Sequence, residues 1–97
     1  MKTESQLYTL VWSAFFMRTA KRFLKRHPDM RGVFSDVLHT LERDPRAPEL
    51  RLHELRGKLA GRQAVSLTYS YRIVLTLKIT EREIILLDVG SHDEVYG

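Results

Sequence analysis

No cysteine occurs anywhere in this chain, which removes disulfides, thiolate metal sites and a cysteine nucleophile from consideration. Histidine is too dispersed for a metal centre, since the four lie at positions 27, 39, 53 and 92 without ligand spacing. The glycines form no glycine-rich phosphate loop ahead of a helix. No apolar run approaches the roughly 20 residues that span a bilayer. Met1 to Gln6 is short, polar and of mixed charge, without the apolar core of a secretory signal, and reads as a flexible start. These absences point to a cytoplasmic chain with no membrane partner. Whatever chemistry the chain performs must come from His, Tyr, Ser, carboxylates and cations.

What is present suits one domain. A chain of 97 residues buries only about 60 to 70% of its unfolded surface and cannot divide it between two cores, so residues 1–97 are read as a single unit. With 43% hydrophobic and 29% charged residues the composition is that of an ordinary globular protein. The net charge of +4 is unevenly spread: Arg18 to Arg62 holds twelve Lys or Arg against six Asp or Glu, and the remainder from Gln63 holds three against five. A basic region of this kind attracts phosphate backbones or an acidic protein, and charge alone does not choose between them.

Leu7 to Trp12 alternates β-branched and aromatic residues without a breaker and reads as a strand. Ser13 suits the N-cap of a helix whose apolar face is Phe16, Ala20, Phe23, Leu24 and His27 and whose other face is Arg18, Lys21, Arg22, Lys25 and Arg26. Pro28 stops it, and Asp29 is expected to cap a second helix with Met30, Val33, Phe34, Val37, Leu38 and Leu41 on one stripe. Asp44 and Pro45 end that helix. Residues 45–62 mix two prolines and two glycines with Leu50, Leu52, Leu55 and Leu59, a long loop pinned to the core that exposes Arg51, His53, Arg56, Lys58 and Arg62.

Val65, Leu67 and Tyr69 then alternate with Ser66, Thr68 and Ser70, the chain turns near Ser70, and Ile73, Leu75 and Leu77 alternate with Arg72, Val74, Thr76 and Lys78. Ile84 to Val89 is a continuous apolar run suited to a central strand ended by Gly90. The resulting order, β-α-α-β-β-β, specifies an α+β domain in which a helical hairpin covers one face of a small, mainly antiparallel four-stranded sheet. The opposite face is left for solvent or binding, and its small hydroxyls and Arg72 favour binding.

His92, just past that strand, has the residue type that exchanges protons near neutrality. Tyr96 is of a type that stacks on a base or bonds a phosphate oxygen. Arg72 offers a planar guanidinium that grips two phosphate oxygens, the structural alternative being a pairing with Asp88 or Glu83. His53, Arg56 and Lys58 share a glycine-flanked loop and together would cradle a polynucleotide backbone.

The segment Leu55 to Gly61, the run Tyr71-Arg72-Ile73-Val74 and the stretch Asp88-Val89-Gly90-Ser91-His92-Asp93-Glu94-Val95-Tyr96 resemble the RelE/ParE toxin superfamily, and within it the YafQ-like branch. That resemblance spans nearly the whole chain. It implies the toxin of a type II toxin–antitoxin pair, a metal-independent endoribonuclease without cofactor that cuts messenger RNA, generally in the ribosomal A site. The partners it implies are mRNA and a cognate antitoxin with an acidic or partly disordered segment. By position, His92 would transfer protons, Tyr96 would pack on or orient the substrate, Arg72 would stabilise the phosphate and His53 would be a second acid/base or orienting histidine. Arg56, Lys58, Arg62, Ser66 and Tyr71 would contact RNA. Ser66 and Ser70 stand where those relatives often have a histidine and an acid, which keeps a catalytically decayed, antitoxin-binding domain open. A ParE-like gyrase poison acting by binding alone is the other alternative.

Overall fold

The computed structural model describes residues 7–96; the start read as flexible at 1–6 lies outside them. Strand β1 (Thr9–Trp12) leads into helix α1 (Ala14–Arg26), where the Ser13 hydroxyl accepts the Phe16 N–H at 3.0 Å and caps the first turn. Lys25 and Arg26 lie in the last turn, where cations oppose the carbonyl end of the helix dipole. Pro28 ends α1 as expected, but Asp29 does not cap the second helix. A 3₁₀ turn at Pro28–Met30 runs directly into α2 (Arg31–Arg43), placing Met30 at the N-cap position and Asp29 inside the turn. The Met30 N–H is satisfied by the His27 carbonyl at 2.9 Å, so the backbone makes the junction without a side chain.

The expected faces pack as the periodicity indicates. Phe16, Ala20 and Phe23 from α1 and Phe34, Val37 and Leu41 from α2 are buried, and the Phe16 and Phe34 rings stack at 6.1 Å. Beneath them the sheet contributes Ile73, Leu75, Ile84 and Leu86, all fully buried. Leu50, in a 3₁₀ turn at Pro48–Leu50, is buried in the same core and anchors the loop after it.

The sheet has five strands rather than four, in the order β1-β5-β4-β3-β2, with β1 parallel to β5 and the other pairs antiparallel. The additional β2 (His53–Glu54) is too short to show alternation, and it forms by pairing with β3 (Gln63–Ser66) through His53↔Ala64 and Glu54↔Gln63. Buried Gln63 fastens this edge. Its Nε2 donates to both Glu54 carboxylate oxygens at 3.1 Å, and its Oε1 accepts the Leu77 N–H at 2.8 Å, replacing the ladder bond that β3 is too short to give. Strand β4 (Tyr71–Lys78) and strand β5 (Glu83–Ser91) form the longest ladder, and β5 runs through Gly90 instead of stopping there.

Between Val74 and Leu75 the register on β5 jumps from Asp88 to Leu86, so Leu87 is an extra, bulged residue. The bulge turns Asp88 toward α1, where its carboxyl group lies near Thr19 and Arg22. A last helix, α3 (His92–Tyr96), folds back from the end of β5. It was not foreseen from sequence, and it partly roofs the face away from α1 and α2, where Ala64, Val74 and Val95 are buried outside the main core. No helix among the described residues is long and apolar enough to cross a membrane.

Candidate catalytic site

Five residues make a marginal helix, and α3 exists because its start is locked. The Ser91 hydroxyl accepts the Glu94 N–H at 3.2 Å while Glu94 Oε1 accepts the Ser91 N–H at 2.8 Å, a reciprocal capping box. That bond to the Ser91 backbone holds the Glu94 carboxyl below the usual carboxylate range, and Arg26 Nη1 adds a contact at 3.4 Å to Oε2. The carboxylate packs so closely on β5 that a Cβ at position 90 would lie 2.7 Å from Glu94 Oε1, which only glycine avoids. Gly90, Ser91 and Glu94 thus turn the strand end into one helical turn. His92 and Tyr96, four residues apart, fall on one side of it, their rings edge to face at 4.4 Å.

Arg72 lies beside this turn, in register with Ser66 on β3 and Gly90 on β5, on the face opposite the helical hairpin. Its guanidinium donates to Ser66 Oγ at 3.4 Å, and among the described residues no carboxylate pairs with it. The pairing considered for it does not form: Asp88 is turned to α1, and Glu83 stands opposite Lys78 at the other end of the ladder. The Tyr96 hydroxyl is buried with no hydrogen-bond partner among the described residues. Burial pushes its pKa up, with nearby Arg72 pulling the other way. Among the described residues, an imidazole, a phenol and a guanidinium without a carboxylate partner therefore lie at one end of the sheet.

Two grooves flank this cluster, one lined by Arg72 and the other by Tyr96. One, of about 490 Å³, is lined by Arg72, Ser66, His53, Arg51 and Tyr69 among others. His53 Nδ1 lies 3.0 Å from the Arg51 carbonyl, and since a carbonyl only accepts, Nδ1 carries the hydrogen and Nε2 is left as a proton acceptor. The other groove, of about 380 Å³, is lined by Leu55, Arg56, Lys58, Leu59 and Tyr96. Arg56 and Lys58 are exposed along it.

Two of the residues expected to touch RNA stand apart. Arg62 donates to the Lys58 carbonyl at 3.2 Å and braces the glycine-flanked turn, lining neither groove. Tyr71 lies on the helix side of the sheet, its ring 5.0 Å from Phe23 and 4.9 Å from His27, because strand alternation sends it opposite to Arg72. Ser66 borders Arg72, whereas Ser70 sits in the exposed hairpin loop, its N–H bonded to Thr68 Oγ1. The roles of Glu94 and Gly90 were missed from sequence, although the Ser-x-x-Glu pattern at 91–94 is the usual mark of a capping box.

No known protein-family profile matches the chain, and no curated protein matches it in sequence. Solved structures do match. YafQ from E. coli strain BL21(DE3) superposes with a TM-score of 0.79 at 17% identity, covering 93% of this chain and 99% of that one. A metal-bound toxin from Helicobacter pylori superposes with a TM-score of 0.75 at 27% identity, covering 92% of this chain and 99% of that one. The E. coli DinJ–YafQ complex gives 0.72 at 20% identity, with 93% and 99% covered. Among the described residues of this chain, no three His, Asp or Glu side chains cluster as metal ligands.

Proposed function

We propose that this chain, whose fold is that of the RelE/YafQ-like toxins, is the toxin of a type II toxin–antitoxin pair and an endoribonuclease that cuts messenger RNA during translation. The observation that carries the reading is the cluster of His92, Tyr96 and Arg72, the last facing no carboxylate among the described residues, with one groove lined by Arg72 and another by Tyr96. A polynucleotide laid through both grooves passes a phosphate over the Arg72 guanidinium. There the cation stabilises the charge that builds on the non-bridging oxygens.

Cleavage begins inside the substrate, as a transesterification. The ribose 2′-oxygen attacks phosphorus, its proton passes to His53 Nε2, the bond from phosphorus to the 5′-oxygen breaks, and His92 protonates that leaving oxygen. The products are a 2′,3′-cyclic phosphate and a 5′-hydroxyl end. Ser66 takes no proton in this scheme and holds Arg72 in place. Two imidazoles supply the acid and base for which the meander serines are unsuited.

The cognate partner is an antitoxin. The neighbours include toxins solved in toxin–antitoxin complexes. An acidic segment with apolar anchors suits the surface of α1, where Phe15 and Met17 are exposed beside Arg18, Lys21, Arg22 and Lys25. The test is induced expression of the chain alone and with the neighbouring open reading frame, with RNA 5′-ends mapped. Cleavage within coding regions that is relieved by His92→Ala and by the neighbouring gene is expected. Intact messages, with or without a DNA-damage response, contradict it.

A further inference from the structure

The two grooves are not chemically alike. The one past Tyr96 offers Arg56 and Lys58, charges suited to a phosphate backbone. The other carries at its rim Tyr69, a full aromatic ring that is 97% exposed. Among the four tyrosines this is an outlier, since Tyr8, Tyr71 and Tyr96 are all half-buried.

The local backbone holds that ring outward. The Leu67 and Thr68 N–H groups both donate to the Tyr71 carbonyl, and the Ser70 N–H donates to Thr68 Oγ1, so residues 68–70 form a tight hairpin tip with Tyr69 at its apex. Across the groove Arg51 is held at φ 54°, a left-handed conformation that non-glycine residues seldom adopt, and its carbonyl fixes His53. The same groove thus joins an exposed ring and an arginine to the side chain assigned to the cleaved phosphate, Arg72.

We infer that Tyr69 and Arg51 form a nucleobase-stacking subsite that captures an unpaired base flanking the cleaved linkage. This rests on the nuclease reading and adds which arm of the substrate is read by base and which by backbone. Every base has a π-face, so the subsite selects single-stranded RNA over duplex rather than one base over another.

The experiment measures binding of the full chain to a short single-stranded RNA made uncleavable by 2′-deoxy substitution, with an abasic residue moved one position at a time. A matching ribose RNA is tested in parallel for cleavage by wild type and by His92→Ala. Tyr69→Ala is expected to weaken binding by roughly 5- to 150-fold, with Tyr69→Phe and Tyr69→Trp close to wild type. One abasic position is expected to cost wild type a similar factor and Tyr69→Ala almost nothing more, the signature of a direct pair. If wild type binds and His92-dependent cleavage occurs while Tyr69→Ala binds equally well, the subsite is overturned and the nuclease reading stands. If wild type neither binds the RNA nor cuts it, either free or as a message on translating ribosomes, both fall.

Discussion

Ile73 and Leu75 on β4 are fully buried beneath the aromatic rings of α1 and α2, whereas Arg72, one residue along on the other face, meets one serine hydroxyl and no carboxylate. The same strand therefore serves two purposes by parity. On the helix side the apolar groups are enclosed and Gln63 makes three side-chain hydrogen bonds, to Glu54 and Leu77. On the other side, among the described residues, the buried Tyr96 hydroxyl has no hydrogen-bond partner and Arg72 faces no carboxylate, which leaves the cation free for an anion. Stability and chemistry are segregated to opposite faces, and substitutions on each should act separately.

The largest effect is expected at His92. Its side chain is mostly exposed, so His92→Ala should lower the cleavage rate by about 10²- to 10⁴-fold while leaving the urea midpoint unchanged. Leu75→Ala tests the other face and should cost about 2–5 kcal/mol in urea unfolding, with the folded fraction still cutting at the wild-type rate. Parallel loss of stability at His92, or a rate defect in the folded fraction of Leu75→Ala, would break the division between faces.

Gly90→Ala sits where the faces join. The added methyl meets the Glu94 carboxylate, and losing the cap should destabilise α3 by about 0.5–2 kcal/mol, seen as faster amide exchange at 92–96 and slower cleavage. Glu94→Gln keeps an acceptor for the Ser91 N–H and should be milder than Glu94→Ala.

The smallest effects concern pH and have opposite signs for the two acids near α1. Glu94 titrates below its ordinary value, so its contribution to stability is complete above the ordinary carboxylate range and is lost as pH falls through the lowered one. Asp88 is raised by burial, so the folded protein holds its proton more tightly than the unfolded chain. Stability then rises as pH falls from above that raised value toward the ordinary one. Urea midpoints against pH should show Asp88→Asn abolishing the rise and Glu94→Gln abolishing the acid loss. Slopes unchanged in either variant would contradict the assignment.

Much of this was legible in the sequence, for reasons that also explain the exceptions. The stripe from Met30 to Leu41 buries apolar side chains at a helical period, and the stretch from Ile84 to Val89 is apolar but for Asp88, so pattern alone located α2 and the interior β5. Parity placed Arg72 on the open face, and it would equally have placed Tyr71 on the closed one. Strand β2 and helix α3 have two and five residues, too few for any period, and depend on Gln63 and on the Ser91–Glu94 lock. The bulge at Leu87, which takes Asp88 away from Arg72, leaves no mark beyond a single aspartate in an otherwise apolar run.

The most direct test of chemistry on the open face is cleavage of an RNA carrying a single 2′-deoxynucleotide immediately 5′ of a mapped cut. With the 2′-oxygen as nucleophile, that linkage should remain intact while binding persists, and the unmodified RNA should yield 5′-hydroxyl ends. Continued cutting at the deoxy position, or 5′-phosphate ends, would contradict a mechanism built on His92, His53, Tyr96 and Arg72.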